Sequence, residues 1–331
     1  MNRRKNDSRS TVSKIATVAL AAVVLLTLTL FFVEIWERNN TVYSGEREEL
    51  SETLSHNGQK YVLKDNLETL LILGLDKFQS EDSGSYNNDK QADFLLLFVM
   101  DQSTNTCKVI HINRDTMAEM NVLGVAGDKI GTVVKQLALA HTYGNGREVS
   151  CRNAANAVSN LLMGVRIDHY VSVTMDAVPV YNDLVGGITL EILDDFSSID
   201  PSMVLGETMT LEGEQALLYV RSRYGLDDPT NNNRMKRQKQ YLEALYERSR
   251  QLAAEDENFI PRAALKMTDY LVSDCSGNKL EALLQRLSAY EIHEILDIDG
   301  KTLMGEKFLE FYADEGSVKD VVIDCFYEPE T

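Results

Sequence analysis

Three stretches decide the fold: Leu67–Asp76 (LETLLILGLD), Ala92–Asp101 (ADFLLLFVMD) and Cys107–Asp115 (CKVIHINRD). Each holds a short apolar run of Leu, Ile, Val and Phe bounded by polar or turn-forming residues, the pattern of a strand buried on both faces. The polar segment KFQSEDSGSYNNDK between the first two reads as a loop. The strands leave Asp76, Asp93, Arg114 and Asp115 at their ends, where ligands gather in open α/β sheets.

Working outward, REVSCRNAANAVSNLLMG and GDKIGTVVKQLALAHTY have helical spacing, and HYVSVTMD and GITLEIL read as further strands, the latter entered through a Gly186-Gly187 turn. Leu211–Arg223 (LEGEQALLYVRSR) reads as a helix, and NRMKRQKQYLEALYERSRQLA from Asn233 is the most strongly helical run. The tail continues as helix, helix, strand (ALKMTDYLVSDCS, NKLEALLQRLSAYEI, SVKDVVIDCFY). No linker, repeat or composition shift interrupts residues 61–328. The expectation is α/β: a single domain with a central mixed β-sheet flanked by helices.

Ahead of this body, Ile15–Val33 is 19 residues without a charge, closed by Glu34, Trp36 and Glu37. As a helix it spans roughly 28 Å, the hydrocarbon thickness of a bilayer. No small-x-small cleavage site follows, so it reads as an uncleaved signal anchor rather than a cleaved signal peptide. Residues 1–14 carry Arg3, Arg4, Lys5, Arg9 and Lys14 against Asp7 alone, a net of +4; the whole chain is −18, leaving −22 on the rest. The positive-inside rule then puts residues 1–14 in the cytoplasm and the body outside. The expected organisation is a cytoplasmic tail (1–14), a single-pass cell-membrane anchor (15–36), a polar stalk (37–60) and an extracellular domain (61–328). An acidic body is a poor general binder of nucleic acid. A 14-residue cytoplasmic part is too short for a DNA-binding domain. Cys107, Cys151, Cys275 and Cys325 lack CxxC spacing, which argues against a zinc site. They read either as buried free thiols or as up to two disulfides, with Cys275–Cys325 the first pair to test.

The chemistry-bearing feature is arginine in an acidic domain. Arg114 follows a strand, Arg221 and Arg223 end a helix, and Arg234 and Arg237 share a face of the next. Such a set suits bidentate grip on phosphate or pyrophosphate; the plain alternative is a group of surface salt bridges. Asp76, Asp93 and Asp115 can converge beside them, and carboxylates next to a phosphate site suit Mg2+ or Mn2+. Singly, each aspartate is also an ordinary turn former.

In order along the chain, LLILGLD, QADFLLLFVMD, INRDT, LVGGITLEI, LEGEQALLYVRSR and NNNRMKRQKQYLEAL resemble the landmarks of the LytR–CpsA–Psr family over residues 62–328. The RDT and G-E-Q-A-L-x-Y-x-R-x-R blocks are the specific ones. The resemblance implies a membrane-anchored phosphotransferase of cell wall biogenesis. Such an enzyme moves a glycopolymer, such as a teichoic acid or capsular polysaccharide, from a polyprenyl-pyrophosphate carrier to peptidoglycan. It implies that Asp76 and Asp93 bind the metal, that Arg114, Arg221, Arg223, Arg234 and Arg237 surround the pyrophosphate, and that Asp115 orients Arg114 in the catalytic set of Arg114, Asp115 and Arg221. The lipid is expected in an apolar groove between sheet and helices.

Three departures stand against the family pattern. Its R-x-D-T block is here Gln91-Ala92-Asp93-Phe94, removing an arginine and a threonine hydroxyl. Asn231 stands where the family has Asp three residues before the R-x-x-R pair, and the phosphate-contacting lysine is either Lys129 or Lys135. A polyprenyl-pyrophosphate-binding scaffold and a pyrophosphatase using the same residues are therefore the alternative functions.

Overall fold

A computed structural model of the chain describes residues 50–76, 90–222 and 231–330. Among these no helix is long and apolar enough to cross a membrane; the expected anchor, and Arg223, lie outside the described residues.

The strands, in chain order, are β1 (Thr53–His56), β2 (Gln59–Leu63), β3 (Leu67–Leu75), β4 (Ala92–Asp101), β5 (Thr106–Ile112), β6 (Met117–Leu123), β7 (Lys129–Gln136), β8 (His169–Thr174), β9 (Ile188–Glu191), β10 (Thr208–Leu211), β11 (Leu271–Ser273), β12 (Glu291–Asp297), β13 (Gly300–Met304), β14 (Leu309–Ala313) and β15 (Tyr327–Pro329). The α-helices are α1 (Glu148–Leu161), α2 (Ala177–Leu184), α3 (Gly213–Arg221), α4 (Asn232–Glu255), α5 (Phe259–Met267), α6 (Gly277–Ala289) and α7 (Glu315–Phe326). The expected central sheet is present, six-stranded in the order β11-β8-β3-β4-β5-β12. It is mixed, because β3 pairs parallel with β8 and β5 with β12, while β3–β4, β4–β5 and β11–β8 are antiparallel.

Period-two alternation divides the strands between two cores. Leu71, Leu73, Leu95, Leu97 and Ile110 face α1 and α7, whereas Leu70, Leu96, Phe98 and Val109 face α6 and the Leu242/Tyr246 side of α4. A third cluster, including Ile192, Phe196, Tyr219 and Tyr241, fills the space among α2, the β9–β10 hairpin, α3, α4 and α5. The Gly186-Gly187 turn has the expected role. Both residues have positive φ, 83° and 85°, carrying the chain from α2 into β9.

Three readings are corrected. Residues expected as stalk fold from Thr53, where β1, β2 and β15 make a three-stranded sheet. The segment GDKIGTVVKQ is not helical but the exposed strand β7, paired antiparallel with β6; a 3-10 turn (Leu137–Thr142) follows. Its Ile130, Val133, Val134 and Leu137 mimic helical spacing, yet Ile, Thr and Val are also strand formers, and an antiparallel partner was at hand. In the tail, SVKDVVIDCF is helix α7 rather than a strand. It is capped by the Asp314 carboxylate accepting from Ser317 N at 3.0 Å, and it buries Val318, Val321, Val322 and Cys325 at i, i+3, i+4 and i+7. Of the two readings of the cysteines, the free thiols hold: all four are free, with Cys325 buried in α7 and Cys275 half-buried just beyond β11.

Candidate active site

Asp93 reaches the arginine at the β5 exit from a β-bulge. β3 and β4 pair regularly up to Gly74↔Phe94, after which Leu75 pairs with Ala92, so Asp93 is the extra residue. A bulge re-aims one side chain out of the pleat. It leaves Ala92 in the core with Leu75, and lets Asp93 meet Arg114 at the β5 exit.

That exit carries Asn113, Arg114 and Asp115. Arg114 is buried and held by three protein acceptors: Nη1 pairs with Asp93 Oδ1, Nη2 donates to Gln91 Oε1 at 2.6 Å and Nε to Asp115 Oδ1 at 3.2 Å. Asp115 Oδ1 also accepts from Gln136 Nε2 at 3.2 Å. Asn113 Oδ1 accepts from Asp115 N and from Asn231 Nδ2, each at 3.0 Å, tying this turn to the start of α4. Gln91 and Asn231 stand at the positions where the sequence departs from the family blocks, and here they bond to Arg114 and Asn113; Asn113 and Gln136 were not among the expected site residues, and no local spacing announces them.

Helix α3 supplies Arg221. Its start is fixed by a capping box in which Glu212 N donates to Gln215 Oε1 at 3.1 Å. Gly213 is required because a Cβ there would sit 2.8 Å from Pro179 O and 2.9 Å from the Asp183 carboxylate. The G-E-Q signature is thus the joint that sets α3 on α2. At the other end, Arg221 Nη2 lies 3.1 Å from Asp76 Oδ1, with the Arg221 side chain 53% exposed.

The two arginines of α4 part company. Arg234 is buried and reaches the Asp93 carbonyl at 3.5 Å, within the cluster. Arg237 turns away from it. It donates to Tyr219 O and, at 2.6 Å, to Ser222 O; it pairs with Asp194 at 2.9 Å and stacks 5.0 Å from the Phe196 centroid. Burial lowers its pKa, opposed by the Asp194 charge. In this structure Arg237 braces the α3 terminus that presents Arg221. Lys129 and Lys135 are both exposed on β7.

An apolar cavity of about 360 Å3 lies between the sheet and α2, α4, α5 and α6. Gly74 and Phe94, each within two residues of a site carboxylate, line one end, and Tyr181, Leu245 and Arg250 line it further along the helices. The expected groove is therefore present and starts beside the charged cluster. His111, on the cavity side of β5 with its ring 5.4 Å from Phe94, has its pKa pushed down to about 4 by burial and by the nearby Lys239.

The LytR_cpsA_psr family profile matches residues 29–314. This chain belongs to that family. It is similar to the polyisoprenyl-teichoic acid–peptidoglycan teichoic acid transferase TagU of Bacillus subtilis, 26% identical over 244 residues, which are 73% of this chain and 72% of that one. The TagU transferase of Halalkalibacterium halodurans is 29% identical over 186 residues, 56% of this chain; the chain spans only 54% of that relative's length. Among solved structures, Bacillus subtilis TagV superposes with a TM-score of 0.61 at 26% identity, covering 80% of this chain and 97% of TagV. TagT bound to LI-WTA shares the fold, with a TM-score of 0.59 at 19% identity over 79% of this chain and 90% of TagT.

Proposed function

We propose that the chain is a membrane-anchored phosphotransferase of the cell envelope, moving a glycopolymer from a polyprenyl-pyrophosphate carrier to peptidoglycan. The observation that carries this reading is the junction of an acid–arginine cluster (Asp76, Asp93, Arg114, Asp115, Arg221, Arg234) with the mouth of a long apolar cavity. A polyprenyl pyrophosphate has the same two parts, a dianionic head and a hydrocarbon tail. The relatives named as transferases of polyisoprenyl-linked teichoic acid support the same substrate class. In this reading the segment 15–36 anchors the chain with residues 1–14 in the cytoplasm and the body outside, facing its peptidoglycan acceptor.

A divalent ion fits the donor set. Asp76 Oδ1 is buried and accepts no hydrogen bond within the protein beyond its ion-pair contact with Arg221, leaving a hard oxygen donor of the kind Mg2+ or Mn2+ takes. Asp76 and Asp93 would hold the ion, which when bound supplies positive charge to the diphosphate. The residues themselves do the rest. Arg221 and Arg234 grip the diphosphate oxygens, and Arg114 keeps Asp93 and Asp115 in place. The acceptor hydroxyl oxygen bonds to the sugar-bearing phosphorus as the bond to the polyprenyl phosphate breaks. A carboxylate, Asp93 or Asp115, takes the hydroxyl proton. Positioning and charge neutralisation account for most catalysis in phosphoryl transfer.

The test is reconstituted transfer by the full chain, from lipid-linked donor to peptidoglycan. Arg221→Ala removes a half-exposed side chain, so the protein stays folded while transfer falls by about 100-fold or more. Arg114→Ala abolishes transfer. Wild-type rates in both variants would overturn the arginine assignment. The Gln91-Ala92-Asp93-Phe94 block favours a second reading, a carrier-binding protein that does not transfer. Its signature is donor binding with no product, whereas a pyrophosphatase would release the glycosyl phosphate to water.

A further inference from the structure

The opposite end of the sheet carries a second cluster of ligating side chains. β8 runs parallel to β3, with His169 opposite Leu70, so His169 is roughly 20 Å along the strands from Asp76 at about 3.3 Å per residue. Next to it the chain leaves β11 through Asp274 and Cys275 and enters α6. One ligand atom each from His169, Asp274 and Cys275 lies within 4.8 Å of the others. His169 Nδ1 is 3.6 Å from Asp274 Oδ2, and Cys275 Sγ is 3.7 Å from Asp274 Oδ1. The His–Asp separation is too long for a hydrogen bond, which centres near 2.9–3.0 Å. It is close to the spacing of two ligand atoms on one tetrahedral ion with bonds of about 2.0–2.3 Å.

The surroundings are those of a braced site. The other imidazole nitrogen, Nε2, faces Glu68 Oε1 at 3.5 Å, and Glu68 is itself held by Arg286 at 2.6 Å and Gln102 at 3.3 Å. At that distance Glu68 is an ion-pair partner of the ring rather than a hydrogen-bond acceptor, on the side where histidine–metal sites place an orienting carboxylate. Asp274 Oδ1 accepts from Tyr170 N at 3.2 Å, which turns Oδ2 toward the histidine. Cys275 N donates to Ser273 Oγ at 3.0 Å, and that hydroxyl donates to Tyr170 O at 2.9 Å, pinning the backbone that carries the thiol. Imidazole, thiolate and carboxylate together match a borderline-soft ion, in contrast to the oxygen-only set at Asp76 and Asp93.

We propose that His169, Asp274 and Cys275 form a Zn2+ site, oriented by Glu68, that ties β8 to the β11–α6 corner. Because Leu280, Leu284 and Leu287 of α6 line the apolar cavity, the ion fixes one wall of that cavity from a distance. The inference stands independently of the transfer reaction.

The test uses the full chain in detergent, reduced and stripped with a chelator, then titrated with Co2+. The expected result is one Co2+ per chain with a thiolate-to-metal charge-transfer band that excess Mg2+ does not remove and Zn2+ does. Cys275→Ser loses the band, His169→Gln weakens binding by at least about 100-fold, and Glu68→Gln weakens it by about 10-fold. Cys107→Ser keeps the band, and Zn2+ raises the melting temperature of the wild type but not of Cys275→Ser. Cooperative melting of each variant without metal verifies folding. Should Cys275→Ser fail to fold, Asp274→Asn answers the same question by its loss of affinity. No band in the wild type, or an undiminished band in Cys275→Ser, overturns the proposal. So does loss of the band in Asp76→Asn, which would put the ion at the other end of the sheet.

Discussion

The two faces of the central sheet are finished differently. Toward α1 and α7 the sheet meets small or branched side chains, Cys151, Ala154, Ala157, Val318 and Val322, which let the helices approach closely and close the core. Toward α4, α5 and α6 the helices stand off on Tyr241, Leu242 and Leu245, and an apolar cavity of about 360 Å3 is left between them and Ile72 and Phe94. A void of that size made by mutation would cost several kcal/mol, at about 24 cal/mol per Å3. A fold that closes one face and leaves the other open keeps the second for an occupant. The closed face carries stability, and in the proposed function the open one takes the hydrocarbon tail of the carrier.

Truncation on the closed face makes the largest break. Leu97→Ala, wholly buried on β4, should lower unfolding stability by about 2–5 kcal/mol in denaturant melts while transfer per folded molecule holds. On the open face the dependence inverts. Ile72→Trp fills the cavity, so carrier binding and transfer should fall by about 100-fold or roughly 2.7 kcal/mol, with a stability change below about 1.5 kcal/mol. Equal effects of both variants on stability would erase the distinction between the faces.

Acid should strain both faces alike, because each buries one neutral histidine. On the closed face His141 lies 2.9 Å from Lys90 O through Nδ1 and 3.5 Å from Cys151 Sγ through Nε2, and on the open face His111 backs α4. Burial, the dominant cause in each, pushes both pKa values down to about 4 from an ordinary 6.5. The unfolded chain therefore binds more protons between those values. Stability is complete above about pH 6.5 and is lost as pH falls toward 4, by about 3 kcal/mol for each histidine. Replacing His141 with Gln should remove about half of that slope in pH-dependent melts, and an unchanged slope would show that the closed face does not hold its histidine neutral.

What was legible in the sequence follows the range of the forces involved. β3, β4 and β5 are short apolar runs whose two-sided burial is written in their own residues, and so is the glycine turn at Gly186-Gly187. The exposed strand β7 and helix α7 depart from the expectation because β-branched residues at helical spacing satisfy both patterns, and only a partner strand or a cap such as Asp314 decides between them. At the site, the sequence order alone brought out Asp76, Asp93, Arg114, Asp115 and Arg221. It could not show that Asp93 sits on a bulge, since a bulge is a property of two strands. Nor could it show that Arg237 is spent on Asp194, Tyr219 and Ser222, partners 15 to 43 residues away in the chain.

Helix caps sharpen the comparison at its smallest scale. Asp314 caps α7 on the closed face, and Gln215 completes the capping box of α3, whose last residue is Arg221. Each cap satisfies a backbone N–H that would otherwise be orphaned, so Asp314→Ala and Gln215→Ala should each cost about 1 kcal/mol in melts. The functional consequences should differ. A frayed α7 disturbs only the closed face, and transfer should stay within about twofold of wild type. Loosening α3 shifts the segment that holds Arg221 against Asp76 and Arg237 against Tyr219 O and Ser222 O, so a several-fold loss of transfer should accompany the same small loss of stability. Equal transfer in the two variants would mean that α3 is held by its packing against α2 and α4 alone, with Gly213 rather than the cap setting the position of Arg221.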